Sequence, residues 1–142
     1  MANKNRCRTY FAIKGDFNPT EICAALELSP NQSWNASDLR RDGKPFGFSY
    51  LEFGTNEDYD VYTENQMRKT IAPFLDKIPL LNQIREHYGV EFYLTVVPEL
   101  YVDEVHPCLA PPLDVIDFCH ATRTKIDIDL YLYSDTPETD TD

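Results

Sequence analysis

Residues 7 to 14 alternate Cys7, Thr9, Phe11 and Ile13 with Arg8, Tyr10, Ala12 and Lys14, the two-residue period of a strand with one buried face, and Gly15-Asp16 ends it. Asn18 followed by Pro19 and Glu21 reads as a capped helix start, with Ile22 and Leu26 forming one apolar stripe that stops before Pro30. From Ser29 to Lys44 the chain is rich in Asn, Ser, Asp and Arg around the single Trp34, which predicts a long, partly structured loop. Residues 46 to 53 predict a second strand, Gly54 to Asn56 its turn, and Asp58 to Tyr62 a short returning edge strand. Thr63-Glu-Asn-Gln66 matches a capping box, and Met67, Ile71, Phe74, Leu75 and Ile78 then recur at helical spacing. Pro73 predicts a kink and Pro79 a break or restart, after which Leu80, Leu81, Ile84 and Tyr88 continue the stripe to a terminating Gly89.

Val90 to Val97 predicts a third strand, with Phe92, Leu94 and Val96 opposite Glu91, Tyr93, Thr95 and Val97. An irregular stretch containing Pro98, Pro107, Pro111 and Pro112 leads to a helix from Leu113 to Ala121 that offers Val115, Ile116 and Cys119 to the core. Lys125 to Tyr133 is the most regular alternation in the chain, with Ile126, Ile128, Leu130 and Leu132 on the inward row and Asp127, Asp129, Tyr131 and Tyr133 on the other. The acidic residues 135 to 142 have nothing to bury, so the expected domain is 1–134 with a disordered tail. Clean alternation implies that helices cover one face of the sheet only, because fully buried strands would be apolar on both. The predicted fold is a two-layer α+β domain, an antiparallel or mixed sheet of about four strands in the order β-α-β-α-β-α-β.

Tyr10-Phe-Ala-Ile-Lys-Gly-Asp-Phe-Asn-Pro19, Glu21-Ile22, Leu28-Ser-Pro30, Ser33-Trp34 and Ile126-Asp-Ile-Asp-Leu-Tyr131 together resemble the opening and closing motifs of the bacterial family called domain of unknown function 4279, over about residues 8 to 133. The one departure is in the second strand, where Phe48 and Tyr50 stand in place of a tryptophan. The resemblance implies a compact α+β domain with no catalytic residues to transfer, and a genomic setting in which an immunity or inhibitor role is one expectation. Fold alone does not supply function.

The 142-residue chain carries 13 Lys and Arg against 24 Asp and Glu, a formal net charge of −11. Nucleic-acid backbones and anionic membranes repel such a field, whereas a basic protein is attracted by it. The acidity is concentrated in the folded part: residues 45 to 134 hold six basic against fifteen acidic side chains. No apolar run has signal-peptide or membrane-span length, which predicts a cytoplasmic protein. Cys7, Cys23, Cys108 and Cys119 then read as free thiols, with no Cys-x-x-Cys pair.

Candidate chemistry is sparse. Asp127 and Asp129 project from one side of a strand, their Cα atoms about 6.6 Å apart at ~3.3 Å per residue, so they could serve as an acid and base pair or as ligands to a divalent metal. The plainer reading is a solvated strand face, since no third ligand stands at a fixed spacing. His106, Cys108, Cys119 and His120 have the wrong spacing for a zinc finger or ribbon, and no metal or cofactor is expected. Arg40-Arg41 reads as a solvated loop, and phosphate-loop and nucleophile-elbow motifs are missing.

The broadest signal is the sheet face opposite the helices. It gathers Arg8, Tyr10, Lys14, Tyr50, Glu52, Glu91, Tyr93, Asp127, Asp129, Tyr131 and Tyr133. Tyrosines and carboxylates suit a protein partner bearing Lys and Arg. The expected function is a non-enzymatic acidic binding protein whose contacts are Tyr10, Tyr50, Glu52, Glu91, Tyr93, Asp127, Asp129 and Tyr131, an immunity protein or inhibitor that occludes a basic partner such as a nuclease toxin. The alternatives are a small enzyme using the Asp127 and Asp129 carboxylates, or a housekeeping ligand-binding domain.

Overall fold

The computed structural model describes residues 4–58 and 63–134. Strand β1 (Arg6–Gly15) is followed by helix α1 (Pro19–Leu26), then β2 (Gln32–Trp34), β3 (Ser49–Asp58), α2 (Thr63–Ile71), α3 (Ile78–Tyr88), β4 (Glu91–Tyr101), α4 (Leu113–Thr122), β5 (Lys125–Ile128) and β6 (Tyr131–Tyr133). The sheet order is β2-β3-β1-β4-β5, with β6 continuing beside β4 on the same margin as β5. β1 lies antiparallel to both β3 and β4, while β5 and β6 run parallel to β4. The sheet is therefore mixed and six-stranded rather than four-stranded. Among the described residues, no helix is long and apolar enough to cross a membrane.

The alternation in β1 decides which face the helices cover. Cys7, Thr9, Phe11 and Ile13 all turn inward, and Phe11 sits fully buried with its ring 4.5 Å from that of Phe74, 5.6 Å from Phe92 and 6.2 Å from Phe118. Leu51 and Phe53 of β3, Leu94 and Val96 of β4, and Ile22, Met67, Leu81 and Val115 of the helices complete one core. Thr9 is the polar member of that row. Its hydroxyl donates to Gln66 Oε1 at 2.8 Å, and Gln66 Nε2 donates to the Cys7 carbonyl at 2.7 Å, so α2 is keyed to β1 by hydrogen bonds inside the core. Gln66 is thus not half of a capping box. Thr63, its expected partner, is already helical and donates to the Cys108 carbonyl at 2.9 Å.

Several boundaries differ from the sequence expectation for identifiable reasons. The predicted turn at Gly54 to Asn56 is a bulge inside β3: the register with β1 passes from Thr9 opposite Asn56 to Phe11 opposite Phe53, and Gly54 takes φ +63°, where a residue without Cβ is unstrained. Residues 46 to 48 precede β3 instead of opening it, and within the predicted loop Gln32–Trp34 pairs with β3. Asp58 closes β3, and the rest of the returning strand expected to Tyr62 falls outside the described residues, as does the tail at 135–142. Helix α2 ends one residue before Ala72-Pro73, where the proline ring disfavours helical geometry in its predecessor; a 3₁₀ turn spans Ala72–Phe74, and Pro79 sits in the first turn of α3. Strand β4 runs on through Pro98 to Tyr101.

The last predicted strand is interrupted and lies at the margin. The Asp129 amide donates to the Val96 carbonyl at 2.8 Å, so Val96 faces this edge, and two residues on Pro98 faces it too but has no N–H to donate. The ladder lapses there, dividing β5 from β6. The expected burial of the Ile126, Ile128, Leu130 and Leu132 row is also corrected. Ile126 packs on the core, but Ile128, Leu130 and Leu132 are 41–58% exposed because they run beyond the helical cover. Ile116 of α4 is likewise exposed, and Phe118 takes the core position on that helix.

Phe11→Ala removes the ring that three other aromatics share and is expected to destabilise the fold by about 3–5 kcal/mol, measurable by denaturant unfolding. Burial raises the Cys7 and Cys119 thiols from 9.0 to about 11. Both are protonated in the folded state and ionise more readily once unfolded, so their contribution is complete below pH 9 and disappears as pH rises toward 11. Melting temperature should fall over that window, while iodoacetamide at neutral pH should label exposed Cys108 well before either buried thiol.

A candidate binding cleft on the open sheet face

On the face away from the helices, β1 presents Tyr10, Ala12 and Lys14 in succession. Ala12 stands between Glu52 of β3 and Tyr93 of β4, the smallest side chain among large ones. The space above it is a cleft of about 230 Å³, lined by Tyr10, Ala12, Lys14, Trp34, Phe48, Tyr50, Tyr93, Thr95 and Asp127. An enclosed apolar cavity of about 150 Å³ has room for a benzene ring, so this open, partly polar cleft has the size of a single ring or the planar head of a side chain.

The walls are built from both margins. Trp34 lies across the ladder from Tyr50, and their rings stack at 4.3 Å; Phe46 stacks on the far side of the indole at 4.1 Å. The indole N–H donates to the Phe48 carbonyl at 3.1 Å, tying the ring to the segment that leads into β3. Opposite, Tyr93 is flanked by two ammonium groups, Lys14 Nζ at 5.4 Å and Lys125 Nζ at 5.5 Å from its centroid, and Lys14 also stands 5.3 Å from the Phe48 ring.

The acidic residues expected on this face differ in how far they are committed. Glu52 is buried, accepting from the Tyr50 hydroxyl at 2.9 Å and the Thr55 hydroxyl at 2.8 Å. Burial, then the Glu52 charge, raises the Tyr50 phenol well above its ordinary range. Glu91 accepts from the Tyr93 hydroxyl and pairs with Lys125 at 3.0 Å, which together hold its carboxyl below the ordinary value. Asp127 lines the cleft and Asp129 stands one pleat further along; both are exposed, and neither has an ion-pair partner among the described residues. The Tyr131 hydroxyl donates to Asp129 at 3.3 Å.

Tyr10, Tyr50, Tyr93 and Asp127 therefore meet in one cleft, Glu52 and Glu91 brace its walls, and Asp129 and Tyr131 lie along the adjacent edge. Ala12, Phe46, Phe48, Thr95 and Lys125 are not among the contacts expected from the sequence, and Trp34 belongs to the predicted loop. The signal for the aromatic wall was present: Phe46, Phe48 and Tyr50 recur at period two beside the only tryptophan. Among the described residues, no three His, Cys, Asp or Glu side chains stand together as metal ligands. Tyr50→Phe removes one of two donors to the buried Glu52 carboxylate and is expected to cost about 1–3 kcal/mol in unfolding free energy, with β-sheet circular dichroism unchanged.

Residues 5–133 match the family described as Domain of unknown function (DUF4279). No curated protein and no solved structure matches the chain. The family match takes in every strand and helix of the fold and all the side chains of the cleft, so the chain belongs to the DUF4279 family.

Proposed function

We propose that this domain is a non-enzymatic binding protein that engages and occludes a basic protein partner through its open sheet face, in the manner of an immunity protein or inhibitor. The observation that carries the reading is the cleft itself: aromatic walls around an alanine floor, with the uncommitted Asp127 at the rim and Asp129 beside it. Aromatic anchors in a pocket supply most of the energy of a protein interface, and unpaired carboxylates next to them select for Lys or Arg on the partner. The net charge of −11 adds long-range attraction for the same class of partner. A second reading, a domain for a small ligand, is favoured by Lys14, whose ammonium has ring contacts in the cleft but no carboxylate partner among the described residues.

The test starts from affinity capture in the native cell and proceeds to the purified pair. Asp127→Lys together with Asp129→Lys leaves the core untouched, since both side chains project away from it. Affinity for the captured protein is expected to fall at least about 30-fold, because two reversed charges turn attraction for a basic partner into like-charge repulsion, with the association rate most affected at low salt. Ala12→Leu, which fills the cleft, should also weaken the pair. A folded double variant that binds with undiminished affinity overturns the proposal, and a low-molecular-mass ligand retained by the wild type and lost on Ala12→Leu supports the second reading instead.

A further inference from the structure

Among the described residues, the margin formed by β5 and β6 has a strand on one side only. Both pair with β4, and from Lys125 to Ser134 every residue except Ile126 is exposed. Backbone groups alternate between the two sides of a strand. The Asp129 amide and the Tyr133 carbonyl are used inward, on Val96 and Val102, so Ile126, Ile128, Leu130 and Leu132 direct their N–H and C=O groups outward. Side chains alternate in the perpendicular sense, with Asp127 and Asp129 on the open face and Ile128 and Leu130 on the helix side. The edge is thus an unpaired template flanked by carboxylates above and apolar side chains below.

The geometry points to strand addition at this edge. The occupant is an extended segment of the basic partner with Lys or Arg at alternate positions over Asp127 and Asp129 and apolar residues between them against Ile128 and Leu130. Strand addition draws affinity from main-chain hydrogen bonds and specificity from alternate side chains, which is the division this edge offers. A second copy of the chain is a poor occupant. Self-pairing would set the Asp127 and Asp129 carboxylates of one copy against those of the other, between molecules that each carry −11. The same two residues therefore block self-association and admit a strand of opposite charge. This rests on the reading of the domain as a binder of a basic protein, and adds the mode of engagement.

The test uses the full chain, isotope-labelled, and a capped six-residue peptide alternating Lys and Val, with a Glu and Val peptide as control. At millimolar Lys and Val peptide, amide exchange at Ile126, Ile128, Leu130 and Leu132 should slow by about tenfold or more as those groups gain partners, while β1 is unchanged. The control should give no protection. Leu130→Pro removes an outward N–H at the point where the inner ladder already lapses opposite Pro98, so the fold should persist, with peptide affinity reduced about tenfold. The proposal is overturned if the peptide gives no protection at these amides, if Leu130→Pro binds as well as wild type, or if the same amides become protected by dimerisation without peptide. The captured partner separates the two readings. If Asp127→Lys with Asp129→Lys abolishes its binding and Leu130→Pro does not, strand addition fails and the binding role stands; if the charge-reversed variant binds fully, the binding role fails as well.

Discussion

The packing of Phe11 against Phe74, Phe92 and Phe118 sets the side of the sheet on which the helices lie, and almost everything else follows from that choice. β1 is the central strand, hydrogen-bonded on both sides, so its side chains have only two directions available. Once Phe11 and Ile13 are committed inward, Tyr10, Ala12 and Lys14 are committed outward, and the ladders carry the same division to Tyr50, Glu52, Tyr93 and Asp127. The candidate site is in this sense the reverse side of the core. Binding groups built on central strands are held more rigidly than groups on loops, because the ladders fix them from both sides.

The open face is also not simply acidic. Glu52 is withdrawn from solvent and accepts one hydroxyl on each carboxylate oxygen, Glu91 is held by Tyr93 and Lys125, and Arg6 pairs with Glu57. Such pairs at the surface add little to stability, but they take charges out of contention for a partner. What is left without an ion pair among the described residues is of both signs: Asp127 and Asp129 at one margin, half-buried Glu99, Lys14 against ring faces at the cleft, and Arg8 beside the Tyr10 ring. The charge on this face is therefore locally mixed, in contrast to the chain's total of −11.

How much of this could be read from the sequence depends on whether a residue's role is local. β1 and β4 were legible because the side-chain period is imposed by the pleat and both strands have one buried face. The Asn18 cap was legible as well, and its side chain accepts from the Thr20 amide. Features set by tertiary context were not. Thr63 and Gln66 carry the spacing of a local cap, but tertiary contacts supply other partners, the Cys108 carbonyl in the stretch before α4 for Thr63 and Thr9 and Cys7 in the core for Gln66. The bulge at Gly54 looks like a turn because the same φ serves both. The Ile126 to Leu132 row has the alternation of a buried face, and only the extent of the helical layer determines how far burial reaches. Of the site, the tyrosines and Asp127 followed from strand parity, whereas the cleft depends on the absence of bulk at Ala12 and on the fold-back of Trp34 and Phe46, neither of which periodicity encodes.

Ala12 has a consequence for how such a domain diversifies. Its neighbours in the core lie on the other side of the sheet, and its backbone bonds are unaffected by what its Cβ carries. A change of one or two heavy atoms at this single position alters the depth of the cleft without a compensating change anywhere in the hydrophobic interior. The depth of the cleft and the packing of the core are therefore set on opposite faces of one strand, so that the shape of the open surface can change at a single position while the aromatic interior keeps its composition.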